Sequence, residues 1–272
     1  MQKTILITGS TDGIGFATAK MLVSQGHHVL LHGRNPDKLQ RVVTALSGIV
    51  GGGPVESYQA DLSSMAEVGA LAALVAANTS SLDVLINNAG IFHTPRTTTG
   101  DGVDVRFAVN TLAPYLLTQR LLPLFGPDGR VINLSSAAQS PVDLQALAGE
   151  IQLADDFSAY AQSKLALTIW SHRLALSLAP QGLAIIAVNP GSMLGSKMVK
   201  EGFGVEGGNL QIGAKVLVRA ALEDEFSTAS GQYFDNDSGQ FSAAHADLLN
   251  AKKSTAVVRA IEDVLAEITA RT

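Results

Sequence analysis

Tyr160 and Lys164 lie four residues apart in SerAlaTyrAlaGlnSerLysLeuAla, a segment that reads as part of a long helix. Residues at i and i+4 share one face of a helix, so the lysine ammonium group can lie beside the tyrosine phenol. A nearby cation favours the phenolate, and a phenol with an ordinary pKa of about 10 needs such help to act as a general acid/base near neutral pH. The pair alone is weak evidence, because chance readily produces this spacing.

Three glycines, Gly9, Gly13 and Gly15, follow the short apolar run Thr4–Thr8, which has the β-branched character of a buried parallel strand. From Gly13 onward the apolar residues recur at helical spacing. A strand that enters a helix through glycines directs backbone N–H groups and the positive end of the helix dipole toward one place, which suits a phosphate. The segment therefore predicts a dinucleotide pyrophosphate site, with contacts from Gly9, Ser10, Thr11, Gly13, Ile14 and Gly15. The alternative is that these glycines serve turn geometry alone.

The elements that must position these residues alternate along the chain. Strands are predicted at 4–8, 29–32, 55–59, 84–87, 131–135, 183–189 and 232–234. Helices are predicted near 13–25, 36–47, 64–78, 103–122, 158–179, 209–222 and 254–269. This alternation predicts an α/β fold, a single doubly wound Rossmann-type domain over residues 1–272 with a parallel sheet of about seven strands. The candidate residues fall at the carboxyl ends of the strands, where such sheets bind ligands.

Several motifs occur in an order that resembles one family. They are the glycine run, Asn87-Asn88-Ala89-Gly90, Asn110, Ser135-Ser136, Tyr160-x3-Lys164 and Asn189-Pro190-Gly191. In these motifs the chain resembles the short-chain dehydrogenases/reductases. Within this family the chain is most similar to the branch of retinol dehydrogenases and protochlorophyllide reductases. The similarity lies in the sequence around Tyr160, the long gap between Ser136 and Tyr160, and the late GlnTyrPheAspAsn segment.

The resemblance implies roles for four catalytic residues. Tyr160 would give or take a proton, and Lys164 would lower the pKa of Tyr160 and hold the nicotinamide ribose. The hydroxyl of Ser136, and not that of Ser135, would hydrogen-bond to the substrate oxygen. Asn110 would anchor a water that leads protons to Lys164.

The cofactor is expected to be NADP(H), with NAD the less favoured choice. Arg34 follows the second predicted strand, where an arginine can pair with a 2′-phosphate and an acidic residue would instead accept from ribose hydroxyls. The alternative is a solvated loop cation, and Asp37 lies close by. Asp61 either meets the adenine or caps the next helix. By resemblance the remaining cofactor contacts are Leu62, Asn88, Ala89, Gly90, Pro190, Gly191 and Met193.

Two segments depart from the family pattern. Residues 137–157 form a long excursion that either shapes the substrate entrance or is a plain surface loop. Gly195 stands where the family often has a threonine that meets the carboxamide, and Ser196 could replace it. Ser192–Asn209 is rich in glycine, which is typical of a mobile lid or of glycine-rich disorder without function.

Composition narrows the choice of partners. A net charge of −5 and a pI near 5.6 provide no electrostatic footprint for nucleic acid. No apolar stretch is long enough to span a bilayer. The absence of cysteine excludes disulfides and thiolate sites and is typical of a cytoplasmic protein. The histidines show no metal-binding spacing, so no metal is expected. A homodimer through the helices near 103–122 and 158–179 is possible by resemblance.

The sequence thus predicts an NADP-dependent oxidoreductase that interconverts an alcohol with a ketone or aldehyde, with a weak preference for an apolar substrate. One alternative is an epimerase or dehydratase of the extended short-chain type. Another is a redox sensor that binds NADP without turnover.

Overall fold

The structure is a computed structural model that describes residues 1–243 and 245–271. Its strands are β1 (Thr4–Ile7), β2 (His28–Gly33), β3 (Val55–Gln59), β4 (Val84–Asn87), β5 (Arg130–Leu134), β6 (Ala184–Asn189), β7 (Tyr233–Asp235) and β8 (Gln240–Ser242). Its helices are α1 (Gly13–Ser24), α2 (Pro36–Ser47), α3 (Met65–Asn78), α4 (Val105–Phe107), α5 (Ala113–Leu121), α6 (Leu144–Leu147), α7 (Asp156–Leu178), α8 (Lys197–Phe203), α9 (Leu210–Leu222), α10 (Ala246–Leu249) and α11 (Ala251–Arg271).

One sheet runs through the described residues in the order β3-β2-β1-β4-β5-β6-β7-β8. The first seven strands in the chain are parallel and coincide with the seven predicted strands, which confirms the doubly wound α/β fold. The eighth strand, β8, pairs antiparallel with β7 and was missed by the sequence analysis. It is three residues long with one apolar side chain, Phe241, so it carries no strand periodicity.

Both faces of the sheet are buried, which explains the continuous apolar runs of the central strands. Side chains alternate between the faces, so that Leu6 packs under α3, α5, α7 and α11, whereas Ile5 and Ile7 pack under α1, α2 and α9. All three side chains are fully buried. The resulting layers fix the carboxyl ends of the strands at one edge of the sheet.

The helix predicted near 103–122 is interrupted. Between α4 and α5 the backbone forms a π-helical segment, Ala108–Leu112, that contains Asn110. Such segments often mark functional sites, because the added residue turns side chains out of the regular helical register.

The last helix, α11, packs back onto the domain. Tyr115 on α5 donates a hydrogen bond to Glu262 on α11 at 2.7 Å. The ring of Tyr115 also meets Trp170 of α7 edge to face, with centroids 5.4 Å apart. Trp170 is fully buried, as expected for a core residue. Within the described ranges, no helix combines the length and apolar character that crossing a membrane requires.

Candidate active site

Tyr160 and Lys164 lie on one face of α7, as their spacing predicts. The helix begins after Asp155, whose side chain accepts a hydrogen bond from the Ser158 N–H at 2.8 Å. The Lys164 Nζ atom lies 5.6 Å from the centroid of the Tyr160 ring. The regular helix thus brings the cation and the phenol together.

Burial shifts the pKa of both groups. The Lys164 ammonium is buried and donates to the carbonyl of Leu134 at 2.7 Å, and burial lowers the pKa of Lys164 to about 7. Burial raises the pKa of Tyr160, while a hydrogen bond with Ser136 lowers it. Lys164, the cation expected to favour the phenolate, is therefore only partly protonated near neutral pH. The interaction that lowers the pKa of Tyr160 in the structure is its hydrogen bond with Ser136.

The structure separates the roles of the two adjacent serines. Ser136 hydrogen-bonds to Tyr160, and its Oγ accepts from the N–H of Ala138 at 3.1 Å. Ser135 is buried, and its Oγ lies 2.6 Å from the hydroxyl of Thr168 on α7. Ser136 is thus the serine that reaches the tyrosine.

Asn110 ties the π-helical segment to the loop after β4. Its Nδ2 donates to the carbonyl of Ile91 and to the hydroxyl of Ser163, each at 2.9 Å. Its Oδ1 accepts from the N–H of Ile91 at 2.8 Å. A Cβ atom at Gly90 would lie 3.4 Å from this Oδ1 and 3.5 Å from the Lys164 Nζ. The structure brings Asn110, Gly90 and Lys164 together, and the water anchored by Asn110 stays a prediction.

The three glycines of the loop after β1 are required by backbone conformation, by close packing, or by both. Gly9 and Gly13 have φ values of 65° and 56°, in the left-handed region that favours glycine. A Cβ at Gly15 would lie 2.4 Å from both Asn88 Nδ2 and the carbonyl oxygen of Gly9. Asp12 caps α1 by accepting from the Gly13 N–H at 2.8 Å. This helix start could hold a pyrophosphate.

Asn88 and Thr8 support the glycine loop from the side of β4. The amide of Asn88 donates to the carbonyls of Thr8 and Gly9 at 2.9 and 3.1 Å. In return, the Thr8 hydroxyl accepts from the N–H groups of Asn88 and Ala89 at 3.0 and 3.1 Å. The Asn88 side chain, predicted to contact the cofactor, is engaged in holding the loop that would contact it.

His32 supports the same loop from below and was missed by the sequence analysis. Its Nδ1 accepts from the Gly9 N–H, and its Nε2 donates to the carbonyl of Ala60, both at 3.1 Å. Burial lowers the pKa of His32 to about 4, so the ring is neutral and keeps both bonds. A polar residue at the end of an otherwise apolar strand is the signal that could have identified it.

Three predicted contacts have side chains that are engaged within the protein. Ser10 is fully buried, with its hydroxyl bonded to the carbonyl of His32 at 3.2 Å and to the N–H of His32 at 2.9 Å. Leu62 is packed in the core. The side chain of Ile14 lies toward α9, 3.1 Å from the Cβ position of Gly213. These three can offer backbone groups but not free side chains to a ligand.

Arg34 is exposed at the end of β2, beside the glycine loop. A Cβ atom at Gly33 would lie 2.5 Å from the Cγ2 of Thr11, so the two loops are in close contact. An exposed guanidinium at this position is free to meet an anion held by the loop.

Asp61 is not the cap of α3, and that alternative is wrong. The cap is Ser64, which accepts from the Glu67 N–H at 3.3 Å. The Asp61 carboxylate instead forms a turn, accepting from the N–H and the hydroxyl of Ser63 at 2.9 and 2.8 Å. The adenine contact of Asp61 stays a prediction.

The turn after β6 is fixed by residues that follow β7. Asn236 donates to the carbonyl of Pro190 at 2.9 Å, and Asp237 accepts from the N–H of Ser192 at 2.8 Å. Gly191 has φ 120° and Met193 has φ 53°, which is uncommon for a residue with a side chain. Met193 is 43% exposed, and its carbonyl accepts from the Gly208 N–H at 2.7 Å.

The segment Ser192–Asn209 contains a helix, α8. Ser196 caps α8 by accepting from the Val199 N–H at 3.3 Å. The Cβ of Ser196 lies 4.0 Å from the Cβ position of Gly13, above the start of α1. Ser196 thus lies over the glycine loop, and its replacement of the carboxamide-contacting threonine stays a prediction.

Helix α8 covers the site around Gly90. The Cε of Met198 lies 3.7 Å from the Cβ position of Gly90. At the end of the helix, a Cβ at Gly202 would lie 2.6 Å from the ring of Phe92, so only glycine permits this packing. The Phe92 ring in turn meets Tyr160 edge to face, with centroids 5.2 Å apart. Helix α8 thus covers Gly90 directly and approaches Tyr160 through Phe92.

Residues 137–157 contain the short helix α6 and three exposed apolar side chains, Leu144, Ile151 and Phe157. Asp156, near the end of the excursion, lies one turn before Tyr160. Asp156 binds His93 at 2.5 Å and also the buried Arg106, and these bonds lower the pKa of Asp156. The network attaches the loop after β4 to the start of α7.

A model of the short-chain dehydrogenase family matches residues 3–204. The chain belongs to this family. It is 30% identical to mouse retinol dehydrogenase 13 over 251 residues, which cover 86% of this chain and 75% of the relative. It is 36% identical to human polyprenol dehydrogenase over 200 residues, which cover 70% of this chain and 60% of the relative.

The fold is similar to that of a short-chain dehydrogenase from Burkholderia cenocepacia, solved in complex with NADP. The TM-score is 0.68 at 25% identity, covering 86% of this chain and 95% of the other. These findings confirm the resemblance to the retinol dehydrogenase-like branch. The protein is therefore an oxidoreductase of the short-chain dehydrogenase family that acts on a small molecule.

Proposed function

We propose that the protein interconverts an alcohol with a ketone or aldehyde using NADP(H), with Tyr160 as general acid/base. The observation that carries the proposal is the placement of Tyr160. Its phenol hydrogen-bonds to Ser136, its ring lies near Lys164, and Lys164 faces Gly90 at the end of β4. A proton-transfer group therefore stands at the strand ends that also bear the glycine loop.

The glycine loop supports a dinucleotide ligand. The crowding of Gly9 and Gly15 keeps side chains away from the backbone, and the positive end of the α1 dipole lies at this loop, which suits a pyrophosphate. Arg34 would pair with a 2′-phosphate and thereby favour NADP over NAD. The Burkholderia cenocepacia relative, solved with NADP, is consistent with this choice.

The site would hold the nicotinamide between Gly90, Lys164, the Pro190-Gly191 turn and Ser196. When bound, the nicotinamide supplies or accepts a hydride. In the reduction direction a hydride adds to the carbonyl carbon and Tyr160 donates a proton to the oxygen. Ser136 donates a hydrogen bond to that oxygen as negative charge develops, and the reverse steps oxidise the alcohol.

The substrate is proposed to be apolar. The segments on either side of the site expose large apolar side chains: Leu144, Ile151 and Phe157 on the excursion, and Met193 and Val205 around α8. Exposed apolar groups near a site are typical of a surface that binds an apolar ligand. The similarity to a retinol dehydrogenase and a polyprenol dehydrogenase supports this preference.

Thermal unfolding with saturating NADP, saturating NAD or neither tests cofactor choice, because a ligand that binds the folded state raises its apparent stability. We expect a larger rise in Tm with NADP than with NAD. In Arg34→Ala the rise with NADP should fall to that with NAD, whereas Arg41→Ala, an exposed arginine on α2, should behave like the wild type. Equal losses for both cofactors would refute the 2′-phosphate role.

A protein that binds NADP but turns over no carbonyl or alcohol would support the redox-sensor alternative. The cytoplasmic location expected from the sequence stays a prediction.

A further inference from the structure

The carbonyl oxygen of Ser136 is held by two side chains from different parts of the chain. The Tyr233 hydroxyl, from β7, donates to it at 3.1 Å. The Gln139 Nε2, from the excursion, donates to it at 2.9 Å. We propose that Tyr233 and Gln139 are positioning residues that fix the Ser136 hydroxyl for catalysis. This inference rests on the proposed function.

Tyr233 is suited to be a permanent donor. Its side chain is buried on the α7 face of the sheet, where Tyr233 pairs with Ala187 of β6. Burial raises the pKa of Tyr233, and the carboxylates of Asp235 and Asp237 raise it further. The phenol therefore stays protonated near neutral pH and can donate to the Ser136 carbonyl.

The Ser136 carbonyl determines the orientation of the Gln139 side-chain amide. A carbonyl oxygen only accepts hydrogen bonds, so the amide atom that faces Ser136 must be Nε2. The same Nε2 lies 3.3 Å from the Ser135 hydroxyl. That hydroxyl bonds Thr168, which donates to the carbonyl of Lys164 at 2.8 Å. Gln139 thereby connects the serine loop to the turn of α7 that bears Lys164.

The surroundings of Ser136 determine whether its hydroxyl accepts or donates a hydrogen bond. Its Oγ accepts from the Ala138 N–H at 3.1 Å, so the hydroxyl hydrogen is available to be donated. The hydrogen bond between Ser136 and Tyr160 lowers the pKa of Tyr160, as a donor to the phenol oxygen would. A peptide fixed by Tyr233 and Gln139 keeps this donor aimed before the substrate oxygen arrives, which is the preorganisation that favours catalysis.

The test compares Tyr233→Phe with Tyr115→Phe. Both variants remove the hydroxyl of a buried tyrosine, but Tyr115 bonds Glu262 on α11, outside the candidate site. We expect Tyr233→Phe to lower kcat by about fivefold to tenfold, as for the loss of one hydrogen bond, with the KM for NADPH unchanged. The rise in Tm caused by NADP should also be unchanged. Tyr115→Phe should lower Tm and leave kcat as in the wild type.

The pH profile separates positioning from general destabilisation. If Ser136 moves away from Tyr160, the pKa of Tyr160 rises, so the limb of the kcat profile that reports Tyr160 should move to higher pH in Tyr233→Phe. A variant that only loses stability keeps the wild-type profile. The shift applies to both reaction directions, because both depend on the same phenol.

A second pair of variants keeps the proposal testable if Tyr233→Phe folds poorly. Gln139→Met should lower kcat and move the pH profile as Tyr233→Phe does, whereas Gln152→Met, on the exposed part of the same excursion, should do neither.

Because Tyr233 and Gln139 donate to the same carbonyl, the effects of their substitutions on kcat should be less than additive when combined. An unchanged kcat and pH profile in both site variants, with an active wild type, would overturn the positioning role. A wild type without turnover of any alcohol or carbonyl would overturn the proposed function and this inference with it.

Discussion

At the scale of single residues, Lys164 has the environment least suited to its charge. Its ammonium is buried beside the Tyr160 ring and donates to the Leu134 carbonyl. Burial lowers its pKa from the usual 10.5 to about 7, so the folded protein releases the proton more readily than the unfolded chain. Below pH 7 folding must bury a charge, and this cost falls as pH rises toward the pKa of the unfolded chain.

Lys164→Met should therefore change stability in a pH-dependent way. The methionine removes the cost of burying the charge, which is largest below about pH 7 and declines toward the lysine pKa in the unfolded chain, about 10.5. We expect the variant to gain more stability over the wild type, as a more positive difference in the free energy of unfolding, at pH 6 than at pH 9. Urea denaturation without cofactor at both values measures it. The same difference at both pH values would contradict the lowered pKa of Lys164.

At the scale of elements, the turn from β1 into α1 depends on close packing against the loop after β4. Gly15 lies in the first turn of α1, directly against Asn88 and the Gly9 carbonyl. Gly69, on α3, has open space around its Cβ position. Comparing alanine substitutions at Gly15 and Gly69 therefore separates the effect of crowding from the ordinary gain in helix propensity when alanine replaces glycine.

Gly15→Ala should destabilise the protein and abolish the stabilisation by NADP, because a Cβ 2.4 Å from backbone forces the glycine loop to move. We expect a loss of about 1–3 kcal/mol in unfolding free energy, as for an overpacked site. Gly69→Ala should instead gain up to about 1 kcal/mol and keep the cofactor response. Thermal unfolding with and without NADP measures both. A Gly15→Ala protein with the full response to NADP would contradict the cradle.

The sequence predicted the elements better than the contacts between them. The parallel strands, the glycine turn and the Tyr160 and Lys164 pair follow from local periodicity and i, i+4 spacing. The support of Ser136 by Tyr233 joins residues that are 97 positions apart, and no local pattern carries such a contact. His32 and Ser64 were likewise missed, since their roles depend on how neighbouring turns fold.

At the scale of the whole molecule, the buried surface of α7 bears on oligomerisation. Every residue from Ala161 to Ser171 is buried, so this stretch has no face left for another subunit. On the side away from the sheet it is covered in part by α11, which carries a buried apolar stripe formed by Val257, Ile261, Val264, Leu265 and Ile268. Of the two helices in the homodimer predicted by resemblance, α7 is thus already packed within one chain along this stretch.

We expect the protein to be a monomer with a mass near 28.3 kDa by light scattering. A dimer built on α5 and α7 would have to displace α11, whose apolar stripe would then be exposed to water at a cost of about 25 cal/mol per Å². The control is the same measurement with NADP, which should not change the mass. A stable dimer in which hydrogen exchange protects α5 and α7 relative to the monomer would contradict this arrangement.

Turnover by the wild type and by Tyr160→Phe tests most directly whether Tyr160 transfers the proton. NADPH oxidation is followed by absorbance with a panel of apolar aldehydes and ketones, and cofactor binding is measured in parallel by thermal unfolding. We expect turnover by the wild type, and a rate about 10²- to 10⁴-fold lower for Tyr160→Phe with the same rise in Tm on NADP binding. Undiminished turnover by Tyr160→Phe would show that this phenol does not transfer the proton.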